Sequence, residues 1–386
     1  MVGLSFILPF LVFYLRDLGV TGEAETRKWA GWLAAAPALT QMVFAPIWGI
    51  VGDRFGRKPM VLRAMFGISA MTLLMAFART PGQLLVIRLV EGALSGTIAA
   101  NMALVAAITP RERTGYAMGV LQASSQAGHM IGPLIGGLIA DNFGYRPSFL
   151  AGSAIVLLAG LMIQFFTHET HRRDIVEKTR TRSFSLSFVT VGFIVCLLTM
   201  FQISVARNLA MPLFPLFIKA LHGSKNVATI TGGILTAGAI VAVGATSILG
   251  RLSDSWGHKR MLITCALSMS AVTLLHAAAG SIWHLAVFRC LLGFATAGLR
   301  PSVMALLRHS VPSRDIGKTL GITESFRCLG QVLGPVSGGY IAAQFSGTAG
   351  FRAAFLAAGS AMAIVPMMAA WLLRRPRTTP KSDSHS

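Results

Sequence analysis

The chain has 386 residues, of which 54% are apolar and only 12% charged. Soluble proteins average roughly 25% charged residues, so a soluble globular domain is excluded. The formal net charge of +20 would suit nucleic acid, but the basic residues flank apolar runs and none lies on a soluble domain, which excludes that partner.

From the N terminus onward, apolar runs long enough to cross a bilayer core, about 20 helical residues each, follow one another closely. Twelve spans are predicted: 2–15, 29–51, 60–78, 83–108, 116–140, 148–167, 188–218, 229–250, 261–280, 282–307, 317–344 and 352–373. No run sustains an alternation of apolar and polar residues, which argues against a membrane β-barrel. Span 1 is short, reaching about 21 Å at 1.5 Å per residue, and it opens without a basic anchor. We therefore expect the natural protein to carry on the order of 15 further N-terminal residues, apolar with a basic start. The alternative is a short helix tolerated by bilayer thinning. No cleavable signal peptide is evident.

Residues 168–187 are the one long charged connection, read as a cytoplasmic linker between two six-span halves, 1–167 and 188–373. Residues 374–386 are basic, contain Pro and Ser, and read as a disordered cytoplasmic tail. With both termini inside, most of the 34 Lys and Arg fall on the cytoplasmic side. That bias sets the expected orientation in a cytoplasmic (inner) membrane. Cys196, Cys265, Cys290 and Cys328 all fall within spans and form no CxxC, so they read as packing residues and not as metal or disulfide partners.

The two halves repeat each other. Gly49, Asp53, Gly56 and Lys58 return as Gly250, Asp254, Gly257 and Lys259, and Arg88 and Gly92 as Arg289 and Gly293, at an offset of 201. Gly128, Gly132, Pro133, Gly136 and Gly137 return as Gly330, Gly334, Pro335, Gly338 and Gly339, at 202. The period is too long for a solenoid unit and is the size of half a transporter.

Each motif has a physical reason. The 49–58 loop joins spans 2 and 3 by a tight turn, for which Gly52 and Gly56 supply positive φ. Asp53 is placed to accept hydrogen bonds at the N-terminal end of a neighbouring helix. Alternatively, Arg54, Arg57 and Lys58 only anchor topology. Arg88 lies inside an apolar run, where an ionisable residue is costly unless paired or hydrated. Glu91 follows at helical spacing, either as a self-neutralising partner or as a proton carrier. Glu324, followed by Arg327, is the second carboxylate inside a span, so either acid can be the coupling site. The sequence does not rank them. The glycine rows allow close helix approach, with Pro133 and Pro335 bending the helices beside them. His129, within the first row, reads as a packing residue or a proton relay.

These motifs, in order and twice over, resemble the major facilitator superfamily, and more narrowly its twelve-span drug:proton antiporter group. Ser325-Phe-Arg327, Gly334-Pro335 and Gly350-Phe-Arg352-Ala-Ala-Phe-Leu resemble the multidrug exporters of that group. The likeness covers essentially the whole chain. It implies an all-α membrane protein of twelve helices in two six-helix halves related by a pseudo-two-fold axis. It further implies that Asp53 caps span 11 near Asp315–Gly317 and that Arg57 bridges Asp53 to Glu112. Together with Gly49, Arg54, Gly56 and Lys58, that cluster would hold the halves together in the outward-facing state. The second copy keeps Asp254 but has Ser255 in place of the arginine, so its clamp is expected to be weaker.

The resemblance also associates Arg88 with proton transfer. It puts spans 2, 5, 8 and 11 at the seam between the halves, so that Gly128, Gly132, Pro133, Gly136, Gly137, Gly334 and Pro335 would shape a hinge. It puts spans 1, 4, 7 and 10 around the cavity, with Phe10, Tyr14, Asn101, Gln202, Arg207, Asn208, Arg300 and Met304 as expected lining. Span 1 has no carboxylate, whereas Arg207 and Arg300 bring positive charge to mid-membrane. The expected function is proton-coupled export of small amphiphilic molecules by a monomer, with the proton gradient as energy source and no cofactor or metal. Its partners are the substrate, protons and the bilayer. The rivals are an uptake symporter of the same fold and a transport-dead membrane sensor. No motif supports an enzyme, and no Gly-x-x-x-x-Gly-Lys-Ser/Thr nucleotide loop occurs.

Overall fold

The computed structural model describes residues 6, 10–167, 191–223, 225–310 and 316–374. The expected linker (168–187) and nearly all of the expected tail lie outside these residues, as does Asp315. Among the described residues the elements are helices joined by short turns, with no strand. Spans 2 and 3 are Glu23–Phe55 and Arg57–Ala76, spans 5 and 6 are Thr114–Phe143 and Tyr145–Phe166, and spans 8 and 9 are Val227–Trp256 and His258–Ala277. Spans 11 and 12 are Ile316–Ala343 and Gly347–Arg374. The repeat extends to helix starts. Thr80 caps span 4 by accepting from the Gln83 amide, and 201 residues later Ser281 caps span 10 by accepting from His284. A hydroxyl at that position satisfies an N–H that the first helical turn leaves free.

Spans 4, 7 and 10 are interrupted. Span 4 consists of Pro81–Leu94 and Thr97–Ile108, joined at Ser95 and Gly96. Gly96 has φ +113, a conformation that a side chain would strain. Span 10 breaks at the equivalent place, between Ile282–Thr296 and Leu299–Ser310. Span 7 runs Val191–Leu209, turns through Met211–Leu213 and resumes as Phe214–His222, and the described helix of span 1 is Leu11–Asp17. The sequence predicts unbroken spans at 83–108 and 282–307, because the apolar run continues straight through both joints. Eight segments of the described residues are long and apolar enough to cross a membrane, with spans 7 and 10 taken across their joints. Span 4 is divided by its joint, and spans 5 and 11 are long enough but diluted by Gly, Ser and Gln.

That dilution serves packing. A methyl group on Gly232 of span 8 would collide with the Pro133 carbonyl of span 5, and one on Gly339 of span 11 would lie 2.6 Å from the Arg27 carbonyl of span 2. The two halves therefore meet backbone to backbone. These contacts lie at one end of the bundle. At the end carrying residues 49–58 and 250–260, here the basic end, a Cβ on Gly49, Gly119, Gly250 or Gly321 would meet nothing within 4 Å. The cores agree. One apolar cluster at the far end draws on both halves, including Phe10, Leu33, Phe149, Phe217, Ala342 and Phe355. The cluster toward the basic end, including Met200, Leu249, Met261 and Val365, belongs to the second half alone. Among the described residues, the halves are closed at the far end and apart at the basic end.

Candidate functional site

Spans 4, 7 and 10, three of the four expected to line the cavity, have interrupted backbones. An interrupted helix leaves backbone polar groups free at mid-membrane, which transporters use where a cavity holds substrate or ions. Arg207 on span 7 and Arg300 on span 10 are exposed although both sit deep in their spans. Arg207 lies within electrostatic range of Arg300 and Arg327 in its own half and of His129 in the other half. A guanidinium felt by both halves faces the space between them, not lipid.

Glu324 and Arg327 pair at 2.5 Å, with side-chain exposures of 51% and 23%. One turn of span 11 brings them together, and Ser204 of span 7 donates to the Arg327 carbonyl at 2.7 Å, fixing the two helices side by side. The equivalent-looking pair in span 4 is sealed. Arg88 and Glu91 meet at 2.6 Å with exposures of 7% and 6%, and Arg88 Nε also donates to the Leu33 carbonyl of span 2. Two acids of similar sequence setting therefore differ in access to water.

Other expected cavity residues are placed differently. Phe10 and Tyr14 are buried at the closed far end. The Tyr14 hydroxyl donates to the Ala78 carbonyl at 3.1 Å and its ring packs edge-on against Phe149 at 5.0 Å, while Phe10 fills the space beside Gly136. Closure of that end takes both rings off the cavity wall. Gln202 donates to the Ala361 carbonyl of span 12 at 2.7 Å, so its amide points away from the cavity. Asn208 donates to Ser204 one turn back, and its Cβ lies beside Gly334. Asn101 and Met304 are half-buried.

In the glycine rows, Gly136 lies against span 1 and Gly137 against the Ala228 carbonyl of span 8. Gly334 lies against Val205 of span 7, and the Pro335 carbonyl against Gly31 of span 2. Gly128, Gly132 and Pro133 are buried. Each row thus presents one face to its own half and one to the other. At the basic end, Arg54, Glu112 and Asp254 are exposed and Arg57 is half-buried, while Lys58 donates to the Gln164 carbonyl at 2.8 Å. The Asp53 side chain and residues 311–315 lie outside the described residues, so the proposed cap on span 11 is outside them too.

Some functional candidates were not singled out in the sequence. Arg289, the counterpart of Arg88, lies 5.3 Å over the Phe214 ring and donates to the Met211 sulfur at 3.3 Å. Arg63 of span 3 reaches the joint of span 4, donating to the Ser95 carbonyl at 3.2 Å, and stacks on Trp48 at 3.6 Å. Its motif neighbours give no hint of this, because the joint itself is invisible in the apolar pattern.

A family model described as the Major Facilitator Superfamily matches residues 1–204 and again 196–386. The chain is similar to Multidrug resistance protein MdtG of Citrobacter koseri, 33% identical over 387 residues, covering 97% of this chain and 92% of that protein. The MdtG of Salmonella dublin is 34% identical over 363 residues, covering 91% and 87%. Among solved structures, a bacterial homolog of the human lysosomal transporter Spinster, in an inward-facing and occupied conformation, superposes with a TM-score of 0.79. Its sequence identity is 16%, with 97% and 95% of the two chains covered. The nucleoside transporter NupG superposes with a TM-score of 0.76 at 13% identity, covering 97% and 100%.

Proposed function

Since the chain belongs to the major facilitator superfamily, we propose that it is a proton-coupled exporter of small amphiphilic compounds in a cytoplasmic membrane. Its basic end would face the cytoplasm by the positive-inside bias. The described state is then inward-facing, open to the compartment from which an exporter loads. The MdtG relatives are named as multidrug resistance proteins, which supports the substrate class.

One observation carries the coupling assignment: the exposed Glu324–Arg327 pair at 2.5 Å. A coupling acid must exchange its proton with each side in turn. Glu324 is open to the inner side in this state, whereas Glu91 is sealed beside Arg88. A proton on Glu324 removes the charge that holds Arg327 and so redistributes charge along the wall shared with Arg207 and Arg300. It shifts the inward–outward equilibrium only as far as the proton binds the two states differently. Protonation and substrate occupancy thus act on one wall, and the energy source is the proton gradient. Gating at the basic end is assigned to Asp53, Arg57 and Glu112, which would close that end when the far end opens.

The test uses proteoliposomes carrying the full chain and a fluorescent dye substrate. Wild type should move protons against dye, and Glu324→Gln should still bind dye while its dye-induced proton flux disappears. Undiminished flux in Glu324→Gln would reject Glu324 as the carrier. Dye movement in the same direction as protons would replace export with uptake symport.

A further inference from the structure

At the far end, charged side chains of the first half meet backbone at the helix ends of the second, while Thr236 of span 8 donates to the Met130 carbonyl of span 5 in the opposite sense. Asp141, at the last turn of span 5, accepts from the amides of Ala228 and Thr229 at 3.3 and 2.7 Å. These amides belong to the first turn of span 8, whose own N-cap residue, Asn226, sits in the left-handed region and makes no side-chain cap. Arg27, in the second turn of span 2 and only 2% exposed, donates to the carbonyls of Ala342 at 2.8 Å, Phe345, and Gly347 at 2.8 Å, from the end of span 11 to the start of span 12. Its guanidinium also lies 4.5 Å over the Phe351 ring. Glu23, paired to Arg27 at 2.9 Å, accepts from the Gly347 amide at the start of span 12.

Helix starts leave amides unsatisfied and helix ends leave carbonyls, with partial charges of matching sign. Here an anion meets the start of span 8, a cation meets the end of span 11, and a second anion meets the start of span 12. The two seams are related by the internal repeat. Counting 201 residues from Arg27 leads to Ala228, whose amide Asp141 takes. Counting 202 from Asp141 leads to Ala343, next to Ala342, whose carbonyl Arg27 takes. Each charged residue reads the backbone beside the other's counterpart.

We propose that Arg27 and Asp141, assisted by Glu23, form the outer gate: they cap helix ends of the second half in trans only while the far end is closed. Opening that end strips the caps from spans 8, 11 and 12 together, so these residues set the inward–outward equilibrium without touching substrate. They are positioning residues. The inference rests on alternating access by two halves and on neither proton coupling nor substrate identity.

The test uses the full chain in nanodiscs without substrate, with its native cysteines replaced. Spin labels at Arg79→Cys and Gly280→Cys report the outer separation, and labels at Tyr116→Cys and Ser255→Cys report the inner one. Arg27→Gln or Asp141→Asn should each raise the ratio of outward-open to inward-open molecules by about fivefold, the usual scale of one charge–helix-end contact. The outer distance should lengthen and the inner distance shorten in the same fraction of molecules, and the double variant should shift further. Arg27→Lys, which keeps the charge but not the fork that spans several carbonyls, should give a smaller shift in the same direction. That variant decides the matter should the others fail to insert. Unchanged distributions in the double variant, or in Arg27→Lys where it alone inserts, would overturn the proposal. So would an outer distance that broadens with no inner closing, since a merely structural role predicts that loosening.

Discussion

Arg88 and Arg289 occupy the same place in the two halves, 201 residues apart, and are held by different means. Arg88 is neutralised by Glu91 at 2.6 Å, whereas Leu292 stands at the corresponding position of the second half, and Arg289 rests on the face of Phe214. A duplication placed two cations in apolar surroundings, and each half found its own solution: an ion pair in one, a ring face and a sulfur atom in the other.

The sealed pair in the first half predicts a stability effect. Removing one partner of a buried ion pair costs about 3–5 kcal/mol, whereas an exposed pair contributes about 1 kcal/mol or less. Glu91→Gln should therefore lower the unfolding midpoint in detergent well below that of Glu324→Gln, read by tryptophan fluorescence. Equal midpoints for the two variants would mean that Glu91 is not committed to Arg88 as the geometry indicates.

At the basic end, Asp53→Asn should impair export while the protein remains inserted. A charge–helix contact of about 1 kcal/mol, made only when that end is closed, biases the equilibrium roughly fivefold toward the inward-facing state when lost. Dye export normalised to membrane-inserted protein checks this. Full export would remove Asp53 from the gate.

The seam makes a steric prediction. Gly232→Ala places a methyl against the Pro133 carbonyl, while Gly244→Ala, farther along the same helix, meets nothing within 4 Å. Overpacking of about 1–3 kcal/mol applies only when the far end is closed, so Gly232→Ala should enrich the outward-open state and slow transport. Gly244→Ala should leave the described state unchanged. The paired spin labels at the two ends measure both.

The wall formed by Arg207, Arg300 and Arg327 predicts selectivity for neutral or anionic amphiphiles over permanent cations. Competition against dye export in inverted vesicles, with a matched series differing only in head-group charge, checks this. Stronger competition by the quaternary ammonium member would reject it.

The repeat, the helix order and the two Arg/Glu pairs were legible in the sequence because motif spacing and apolar run length survive in one dimension. The joints in spans 4 and 10 were not, because Ser95-Gly96 and Ala297-Gly298 interrupt hydrogen bonding without interrupting hydrophobicity. Gln202 and Tyr14 were misplaced on the cavity wall for a related reason. Helical periodicity tells which residues share a face, but not which neighbour that face meets or which end of the bundle is closed. Arg27 and Asp141 lie just outside the predicted spans 29–51 and 116–140 and belong to no motif, and only the packing of the halves shows whose backbone they serve.

The charged caps of the far-end seam run from side chains of the first half to backbone of the second, which has a consequence for how such a protein can be rebuilt. A carbonyl is present whatever side chain a residue carries, and an amide N–H in every residue but proline, so the second half can drift at positions 228, 229, 342 and 345 and still offer the same partners, provided the helix ends stay in place and 228 and 229 do not become proline. The first half has no such freedom at Arg27 and Asp141. A hybrid that keeps residues 1–167 and takes its second half from a distant relative should therefore retain a working outer closure, whereas the reciprocal hybrid would have to inherit both charges with its new first half.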